Sequence, residues 1–319
     1  MKILVTGGAG FIGSHVVDTF LMAGHDVAVV DNLATGRRER VDPRARLSVV
    51  DVRSARLGEV FAAERPEVVA HLAAQMSVAR SVADPAFDAS VNIGGGVNLL
   101  ECCRRFGVRR IIYSSTGGAA YGDTDVLPTP EGQPTRPASP YGVTKIAMEQ
   151  YLNAWQGLHG ISAVALRYAN VYGPRQDPRG EAGVVAIFCG QLLAGTPLTI
   201  NGDGGQTRDY VYVEDVAAAN LRALERPRST GAVNIGTGIE TSVNDLVRAL
   251  GQAAGAPVTP THGPPRPGEQ RRSCLHADLA RRALGWAPAV PLAEGLARTL
   301  DHFASEFTRE HLTRKESDT

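Results

Sequence analysis

Short runs of apolar, β-branched residues alternate with longer stretches of mixed polarity along the first two-thirds of the chain. The runs predict strands at residues 3–6, 27–31, 47–51, 68–72, 109–114 and 162–167. The stretches between them predict helices, the clearest at residues 14–23, 87–106 and 140–157. The predicted strands are continuously apolar, as parallel strands are when helices cover both faces of a sheet. The pattern therefore predicts an α/β fold built on a doubly wound parallel sheet.

The pattern changes after Asn170, where glycine and proline interrupt short elements. Examples are GPRQDPRGE at 173–181 and GPPRPGE at 263–269, which predict loops. Two short apolar runs, at 211–213 and 232–235, are candidates for strands that return to the first sheet. We therefore expect a first domain at 1–169 with return segments near 209–236. A smaller, loop-rich C-terminal domain is expected to take up most of 170–319.

Composition and charge exclude several classes of protein. A chain of 319 residues with 43% apolar residues is long enough to bury a sizeable core. Its 33 basic residues balance 33 acidic ones, which argues against nucleic acid or an anionic membrane as a partner. The four cysteines lack metal-site or disulfide spacing, and no export signal or membrane-length apolar run is present. These features predict a cytoplasmic protein with ordinary buried cysteines and no metal site.

The sequence GGAGFIG places Gly7, Gly10 and Gly13 between the first predicted strand and the first predicted helix. Glycines at these positions allow a tight turn, close approach of a pyrophosphate to the backbone, and close packing of helix on strand. The helix N-terminus then faces the phosphates. The motif predicts a Rossmann-type dinucleotide site, with a purely structural glycine turn as the alternative.

Acidic residues end the second and third predicted strands. Asp31 is placed to accept hydrogen bonds from the adenosine ribose, and its charge repels a 2′-phosphate, which favours NAD over NADP. Arg37 and Arg38 follow closely and are the features that would favour NADP instead. Asp51 and Val52 are candidates to flank the adenine, although an aspartate there also suits a turn or a helix N-cap.

Ser139, Pro140, Tyr141 and Lys145 form the most informative stretch of the chain. Serine caps a helix and proline suits its first turn, so Tyr141 and Lys145 are expected four residues apart on one helix face. An ammonium group and an oxidised nicotinamide ring should lower the pKa of a phenol, ordinarily about 10, toward that of a useful base. A core tyrosine beside a surface lysine is the ordinary alternative.

Thr116 lies in SSTGGAAYG at 114–122, directly after a predicted strand. Open α/β sheets bind their ligands at the carboxyl ends of strands. The Thr116 hydroxyl is therefore a candidate to share a proton with a substrate, with an ordinary turn threonine as the alternative.

The motifs GGAGFIG, Asp31, SSTGG and YGVTK, in this order, resemble the extended short-chain dehydrogenase/reductase family, and within it the UDP-glucose 4-epimerase group. The resemblance covers nearly the whole chain. It extends to LAAQMSV at 72–78, VN at 91–92, LRYANVYGPRQ at 166–176, TRDYVYVEDVA at 207–217 and NIGTG at 234–238.

The resemblance implies a role for each group of residues. Tyr141 would remove the proton of the sugar 4-hydroxyl, and Lys145 would hold the nicotinamide ribose and adjust the pKa of Tyr141. Thr116 would supply a second hydroxyl beside that of Tyr141. Asn92 would support the nicotinamide side. A tightly bound NAD would contact Gly7, Gly10, Phe11, Ile12, Gly13, Asp31, Asn32, Asp51, Val52, Leu72, Ala73, Ala74, Asn92, Tyr141 and Lys145.

The substrate implied by the resemblance is a UDP-sugar, held by Thr116, Tyr141 and a further set of polar residues. That set is Asn170, Arg208, Arg266, Glu269 near the nucleotide ribose, and Ser273. Ser273 stands where some epimerases place a bulky tyrosine, which leaves room for a 2-acetamido group. Gly117 and Gly118 follow Thr116, where the dehydratases and decarboxylases of the family carry an acid, and this favours simple epimerisation.

The resemblance therefore implies interconversion of UDP-glucose and UDP-galactose by transient oxidation at C4, rotation of the 4-keto sugar and re-reduction. UDP-N-acetylglucosamine is a further candidate substrate. UDP-glucuronate 4-epimerisation, another nucleotide-sugar 4-epimerase or reductase activity, and a sensor that binds NAD or a nucleotide sugar without turnover are the alternatives. The resemblance also implies a homodimer formed through the helices predicted at 87–106 and 140–157.

Overall fold

The computed structural model describes residues 1–178, 183–265 and 270–317, with side chains up to residue 309. The strands are β1 (Lys2–Thr6), β2 (Asp26–Asp31), β3 (Arg46–Val49), β4 (Val68–His71), β5 (Arg110–Thr116), β6 (Ser162–Tyr168), β7 (Asn170–Tyr172), β8 (Thr199–Asn201), β9 (Thr207–Arg208), β10 (Tyr210–Tyr212), β11 (Gly231–Ile235), β12 (Thr241–Ser242) and β13 (Thr261–Gly263). The helices are α1 (Phe11–Met22), α2 (Leu57–Glu64), α3 (Val78–Ala83), α4 (Pro85–Ala89), α5 (Gly95–Phe106), α6 (Pro140–His159), α7 (Val184–Leu193), α8 (Val213–Glu225), α9 (Val243–Ala253), α10 (Asp278–Leu284) and α11 (Leu292–Ser317). A 3₁₀ turn forms at Arg38–Arg40 and a π-helical turn at Ser90–Gly94.

Seven strands of the described residues form one parallel sheet, in the order β11-β6-β5-β4-β1-β2-β3. The direction in which successive strands are added reverses between β1 and β4. In open α/β sheets, such a reversal leaves a crevice at the carboxyl ends of the strands, where a dinucleotide binds. The predicted doubly wound sheet is confirmed, and the glycine turn lies beside this crevice.

Both faces of the sheet are buried, as the continuous apolar runs predicted. On one face, Ile3 and Val5 pack in a core that includes Phe20 of α1. On the other face, Leu4 packs in a second core that includes Leu99 of α5 and Met148 of α6. Successive residues of a strand point to opposite faces, so each face needs its own apolar set.

The strand expected at 211–213 forms one residue earlier, as β10, and does not join the main sheet. It pairs with β7 in a separate two-stranded parallel sheet. Val213 instead begins α8, which packs on α1 and returns the chain to the main domain as a helix. The run at 232–235 does join the main sheet, because β11 pairs with β6. The remaining short strands pair among themselves, and Tyr172, Phe188 and Leu246 lie in a third core.

The helix expected at 87–106 is interrupted. It begins at Pro85, where the Asp84 side chain accepts a hydrogen bond from Phe87 N–H. The π-helical turn at Ser90–Gly94 then separates α4 from α5 and places Asn92 in the interior. Single π-helical turns inside helices are often found at functional sites.

The four cysteines are free and buried, as expected. Among the described helices, none combines the length and the apolar character that crossing a membrane requires.

Candidate active site

The glycine turn adopts a geometry that requires glycine. Gly7 has a φ of +72°, and a Cβ there would lie 2.7 Å from Ala73 N, in the loop after β4. A Cβ on Gly13 would clash with the carbonyl oxygen of Gly7, so α1 can pack this closely only with glycine. Gly10 is the N-cap of α1, and no side chain caps the helix there. The free N–H groups of the first turn, which Phe11 and Ile12 open, suit a pyrophosphate.

Asp31 lies next to this turn at the end of β2 and is buried. Its carboxylate accepts hydrogen bonds from Ala9 N–H at 3.0 Å and from Leu33 N–H at 2.8 Å. Arg37 is directed elsewhere, because its guanidinium lies 3.9 Å from the Asp177 carboxylate. Arg38 is exposed in the 3₁₀ turn. The arrangement suits two ribose hydroxyls beside a fixed anion better than it suits a 2′-phosphate.

Asp51 forms a turn with its own neighbours. Its carboxylate accepts hydrogen bonds from the Arg53 guanidinium at 2.9 and 2.8 Å and from Asn32 Nδ2 at 2.9 Å. The hydrogen bonds from Arg53 hold the pKa of Asp51 below its usual range. Val52 is buried behind it, and its carbonyl accepts a hydrogen bond from Asn98 at 2.7 Å. Asp51 therefore acts as a turn aspartate, which was the alternative interpretation. Contact of Asp51 and Val52 with the adenine stays a prediction.

The loop after β4 is hydrogen-bonded to the end of β1, beside the crevice. Leu72 N–H donates to the Thr6 carbonyl at 3.1 Å, and Ala73 N–H donates to the Thr6 hydroxyl at 3.2 Å. Ala74 follows, half-buried. The predicted cofactor residues of the β1 and β4 loops therefore lie on the two sides of one crevice.

Tyr141, Lys145 and Thr116 come together at the carboxyl end of β5. The Ser139 hydroxyl accepts a hydrogen bond from Gly142 N–H at 3.2 Å and caps α6, as predicted. Lys145 Nζ donates to the Ser114 carbonyl at 2.7 Å and lies 5.8 Å from the centre of the Tyr141 ring. The Thr116 hydroxyl hydrogen-bonds the Tyr141 phenol. A phenol, a hydroxyl and an ammonium group therefore share one small volume.

The electrostatic effect expected of Lys145 on Tyr141 is not produced by the protein's own groups. Burial raises the pKa of Tyr141 to about 12, helped by the charge of Asp88 and opposed by the hydrogen bond from Thr116. Burial also lowers the pKa of Lys145 to about 8. Desolvation penalises the phenolate and the ammonium alike, and the lowering of the Tyr141 pKa by Lys145 together with an oxidised nicotinamide ring stays a prediction.

Asn92 belongs to a buried polar layer behind the catalytic helix. Its side chain accepts a hydrogen bond from Gln75 N–H at 2.8 Å and donates to Asp88 and Thr144, each at 3.1 Å. Asp88, Gln75 and Thr144 were not predicted from the sequence as part of the site. A usable signal was present, since Asp88 lies one helical turn before Asn92 and Thr144 is adjacent to Lys145.

A second buried network fixes the strand that carries Thr116. Glu149 accepts hydrogen bonds from the Ser115 hydroxyl at 2.5 Å and from the Arg167 guanidinium at 3.0 and 2.6 Å. Arg167 also donates to the Tyr121 hydroxyl, which donates to Asn234, both at 2.8 Å. This network was also missed, although Glu149 lies one helical turn beyond Lys145.

The predicted substrate residues that the structure describes lie around the same end of the sheet. Asn170 is exposed, and its side-chain oxygen lies 3.8 Å from the position that a Cβ on Gly118 would take. Arg208 Nη1 donates to the Thr207 carbonyl at 2.8 Å. Ser273 is buried, and its N–H donates to the same carbonyl at 3.3 Å. Arg266 and Glu269 lie outside the described residues.

Asp209 connects the two loops that approach Thr116. Its buried carboxylate accepts hydrogen bonds from Thr237 N–H at 2.8 Å and from Leu275 N–H at 3.2 Å. The Leu275 side chain occupies the space that a Cβ on Gly117 would need. The segment that carries Ser273 therefore passes directly over the catalytic end of β5.

Comparison with known proteins agrees with this geometry. Residues 3–236 match the NAD dependent epimerase/dehydratase family. The chain is 48% identical to a UDP-glucose 4-epimerase of Mycolicibacterium smegmatis, with 96% of this chain and 99% of that protein covered. Among solved structures it resembles UDP-glucose 4-epimerase from Thermotoga maritima with UDP-glucose (TM-score 0.94, 48% identity, 96% of this chain and 100% of that chain). It also resembles Thermus thermophilus UDP-glucose 4-epimerase in complex with NAD (TM-score 0.90, 47% identity, 95% of this chain and 99% of that chain).

The family match spans more than half of the chain, and the predicted membership of the extended short-chain dehydrogenase/reductase family is confirmed. The chain belongs to the NAD dependent epimerase/dehydratase family.

Proposed function

We propose that the protein is an NAD-dependent UDP-sugar 4-epimerase that interconverts UDP-glucose and UDP-galactose. The observation that carries the proposal is the meeting of Thr116, Tyr141 and Lys145 at the carboxyl end of β5, beside the crevice of the glycine turn. The similarity to the UDP-glucose 4-epimerases named above extends over nearly the whole length of those proteins, which supports the same reaction for this chain.

The residues around the crevice fit NAD. The glycine turn leaves the first N–H groups of α1 uncapped for a pyrophosphate, and the fixed carboxylate of Asp31 suits the ribose. When bound, NAD supplies the oxidant for C4 of the sugar and a positive charge beside Tyr141. We assign its binding to residues 1–169 together with the returning segments near 209–236, and substrate binding mainly to 170–319.

In this mechanism, Tyr141 takes the proton of the sugar 4-hydroxyl and returns it to the oxygen on C4 after the 4-keto sugar has turned its other face to the site. Thr116 hydrogen-bonds the phenol and offers a second hydroxyl to the sugar oxygen. Lys145 holds its position through the Ser114 carbonyl, which leaves two N–H bonds for the nicotinamide ribose. Asn170 and Arg208, with Arg266 and Glu269, are the groups we assign to the nucleoside diphosphate.

Packing at Gly117 supports epimerisation over elimination. A dehydratase needs an acid or base for the proton next to the 4-keto group. A side chain at position 117 would overlap Leu275, whose relative exposure is 1%. An acid at this position would have to displace the buried Leu275 side chain.

The direct test uses purified protein without added NAD. UDP-glucose, UDP-N-acetylglucosamine and UDP-glucuronate are incubated separately, and the 4-epimers are quantified by NMR. We expect UDP-galactose from UDP-glucose. A 4-epimer from UDP-glucuronate alone would favour the uronate enzyme, and NAD binding without any turnover would favour a sensor.

Ser273 provides a prediction about the size of the sugar. Ser273→Tyr should lower kcat/KM for UDP-N-acetylglucosamine at least about tenfold, because a bulky ring would take the space of the 2-acetamido group, while UDP-glucose changes less than about threefold. Ser273→Ala is the matched control and should preserve both activities. Equal losses for both sugars in Ser273→Tyr would show that Ser273 does not face C2.

We also propose that the protein forms a homodimer. Of the two helices expected in the interface, α6 carries exposed apolar side chains, including Tyr151 (38% exposed) and Leu158 (72%), whereas the exposed large apolar residues of the described chain include none at 87–106. The adjacent helix α3 adds Val82 (64%). A two-helix face of this kind is typical of an interface. We expect Tyr151→Glu to convert a dimer to a monomer in sedimentation velocity, whereas Met22→Glu, on α1, leaves the dimer intact. A wild-type monomer at micromolar concentration would contradict the proposal.

A further inference from the structure

Asp88 carries a buried negative charge that no ion pair in the described residues balances. It is fully buried on α4. Its carboxylate accepts hydrogen bonds from Gln75 Nε2 at 2.7 Å, Asn92 Nδ2 at 3.1 Å and the Thr144 hydroxyl at 2.9 Å. All three donors are neutral. Burying a charge is costly, and here three hydrogen bonds offset that cost without a direct counter-charge.

Lys145 is a buried cation near this layer, and it also lacks a direct ion-pair partner among the described residues. It is buried, it donates to the Ser114 carbonyl at 2.7 Å, and no carboxylate of the described residues pairs with it directly. Glu149, on the next turn of α6, is already neutralised by Arg167 at 2.6 Å. Asp88 and Lys145 therefore each lack a direct counter-charge among the described residues, and Thr144, which precedes Lys145 in the chain, donates to Asp88.

The other titratable groups around this layer are neutral or exposed. Burial lowers the pKa of His71 on β4 to about 3 and raises that of Tyr113 on β5 well above its usual value, so both are uncharged. On the surface, Arg80 of α3 and Arg53 stack on the Phe87 ring, next to Asp88 in the chain. Among the charges that act on these groups, Asp88 is the one that acts on both Tyr141 and Lys145, and Glu149 adds to its effect on Lys145.

We propose, on the basis of the function proposed above, that Asp88 is a positioning residue of the active site that balances the Lys145 ammonium and fixes the first turn of α6. The fixation runs through Thr144, whose hydroxyl lies 2.9 Å from both Asp88 Oδ2 and the carbonyl oxygen of Tyr141. The hydroxyl has one proton, which these two acceptors share, so Thr144 holds the carboxylate close to the backbone of Tyr141. Thr144 also directly precedes Lys145.

The charge of Asp88 shifts the pKa values of Tyr141 and Lys145 in the same direction. A nearby anion favours the charged form of Lys145 and disfavours the charged form of Tyr141, so Asp88 raises the pKa of each. Removing the charge while keeping the shape should lower both pKa values. A purely structural role would lower activity and leave both pKa values unchanged.

The sequence makes a direct measurement possible, because its lysines are Lys2, Lys145 and Lys315 alone. In protein labelled with ¹³C-lysine, NMR can therefore follow the titration of Lys145, which is assigned by Lys145→Met. We expect D88N to lower the pKa of Lys145 by about one unit. Thr144→Val removes the hydrogen bond but keeps the charge, and should leave that pKa in place. D88S gives the same test should D88N not fold.

The pH dependence of kcat/KM for UDP-glucose provides the second readout. Both limbs of the profile should move to lower pH in D88N, whereas Thr144→Val should lower kcat without moving either limb. An unchanged Lys145 titration in D88N, or an equal shift in Thr144→Val, would overturn the proposal. The titration needs no turnover, so it remains decisive even for a protein that lacks epimerase activity.

Discussion

Replacing Tyr141 with phenylalanine is expected to lower kcat for UDP-glucose epimerisation about a thousandfold while NAD stays bound. The substitution removes a single oxygen, the one that hydrogen-bonds Thr116 and takes the substrate proton. Positioned general bases contribute about a hundredfold to ten-thousandfold, and the Thr116 hydroxyl that remains is a much weaker acid than the phenol. Epimerisation is followed by NMR, and retained NAD is quantified after the protein is denatured.

Tyr151→Phe is the matched control for Tyr141→Phe, because Tyr151 lies on the same helix, is 38% exposed and has its ring 6.0 Å from that of Trp155. It should keep full activity. A Tyr141→Phe variant with more than a tenth of wild-type kcat would remove Tyr141 from the role of base. Loss of bound NAD together with activity would instead assign it mainly to cofactor binding.

Arg167→Met should give the largest loss of stability, about 3 to 5 kcal/mol in the free energy of unfolding. The guanidinium holds both oxygens of Glu149 and the Tyr121 hydroxyl in a site where the two charged side chains are 8% and 6% exposed. Removing the cation leaves the Glu149 carboxylate buried beside Ser115 without its counter-charge. Urea unfolding of wild type and variant measures the difference.

The double variant Glu149→Met with Arg167→Met separates lost charge from lost packing. Because it removes both charges, it should recover a large part of the stability lost in Arg167→Met alone. If the double variant is as unstable as the sum of the two single variants, the pair is held by packing and not by charge. A loss below about 1 kcal/mol in Arg167→Met would mean that water already solvates Glu149.

The main sheet could be predicted from the sequence because parallel strands covered on both faces need uninterrupted apolar runs. The same reasoning gave a wrong prediction for residues 211–213, because an apolar run of three residues fits a strand or the start of a helix equally well. Val213 begins α8 because that helix covers the main sheet, which is a tertiary reason. The π-helical turn at Ser90–Gly94 was also missed, because helical periodicity continues on both sides of it.

The catalytic groups were predictable because local signals fix them. Ser139 and Pro140 start α6, the helical repeat brings Tyr141 and Lys145 to one face, and Thr116 ends a strand. The groups that hold them in place come from distant segments. Asp88 is 56 residues from Thr144, and Glu149 is 18 residues from Arg167. The rise that burial causes in the pKa of Tyr141 was not predicted for a related reason, because the cost of burial depends on packing that no spacing in the sequence reports.

The most direct measurement uses UDP-glucose deuterated at C4, incubated with the purified protein in ordinary water without added NAD. Transient oxidation at C4 within one closed site predicts UDP-galactose that still carries deuterium at C4. Replacement of the deuterium by hydrogen from solvent, or no epimer even after NAD is added, would contradict 4-epimerisation by Tyr141, Lys145 and Thr116.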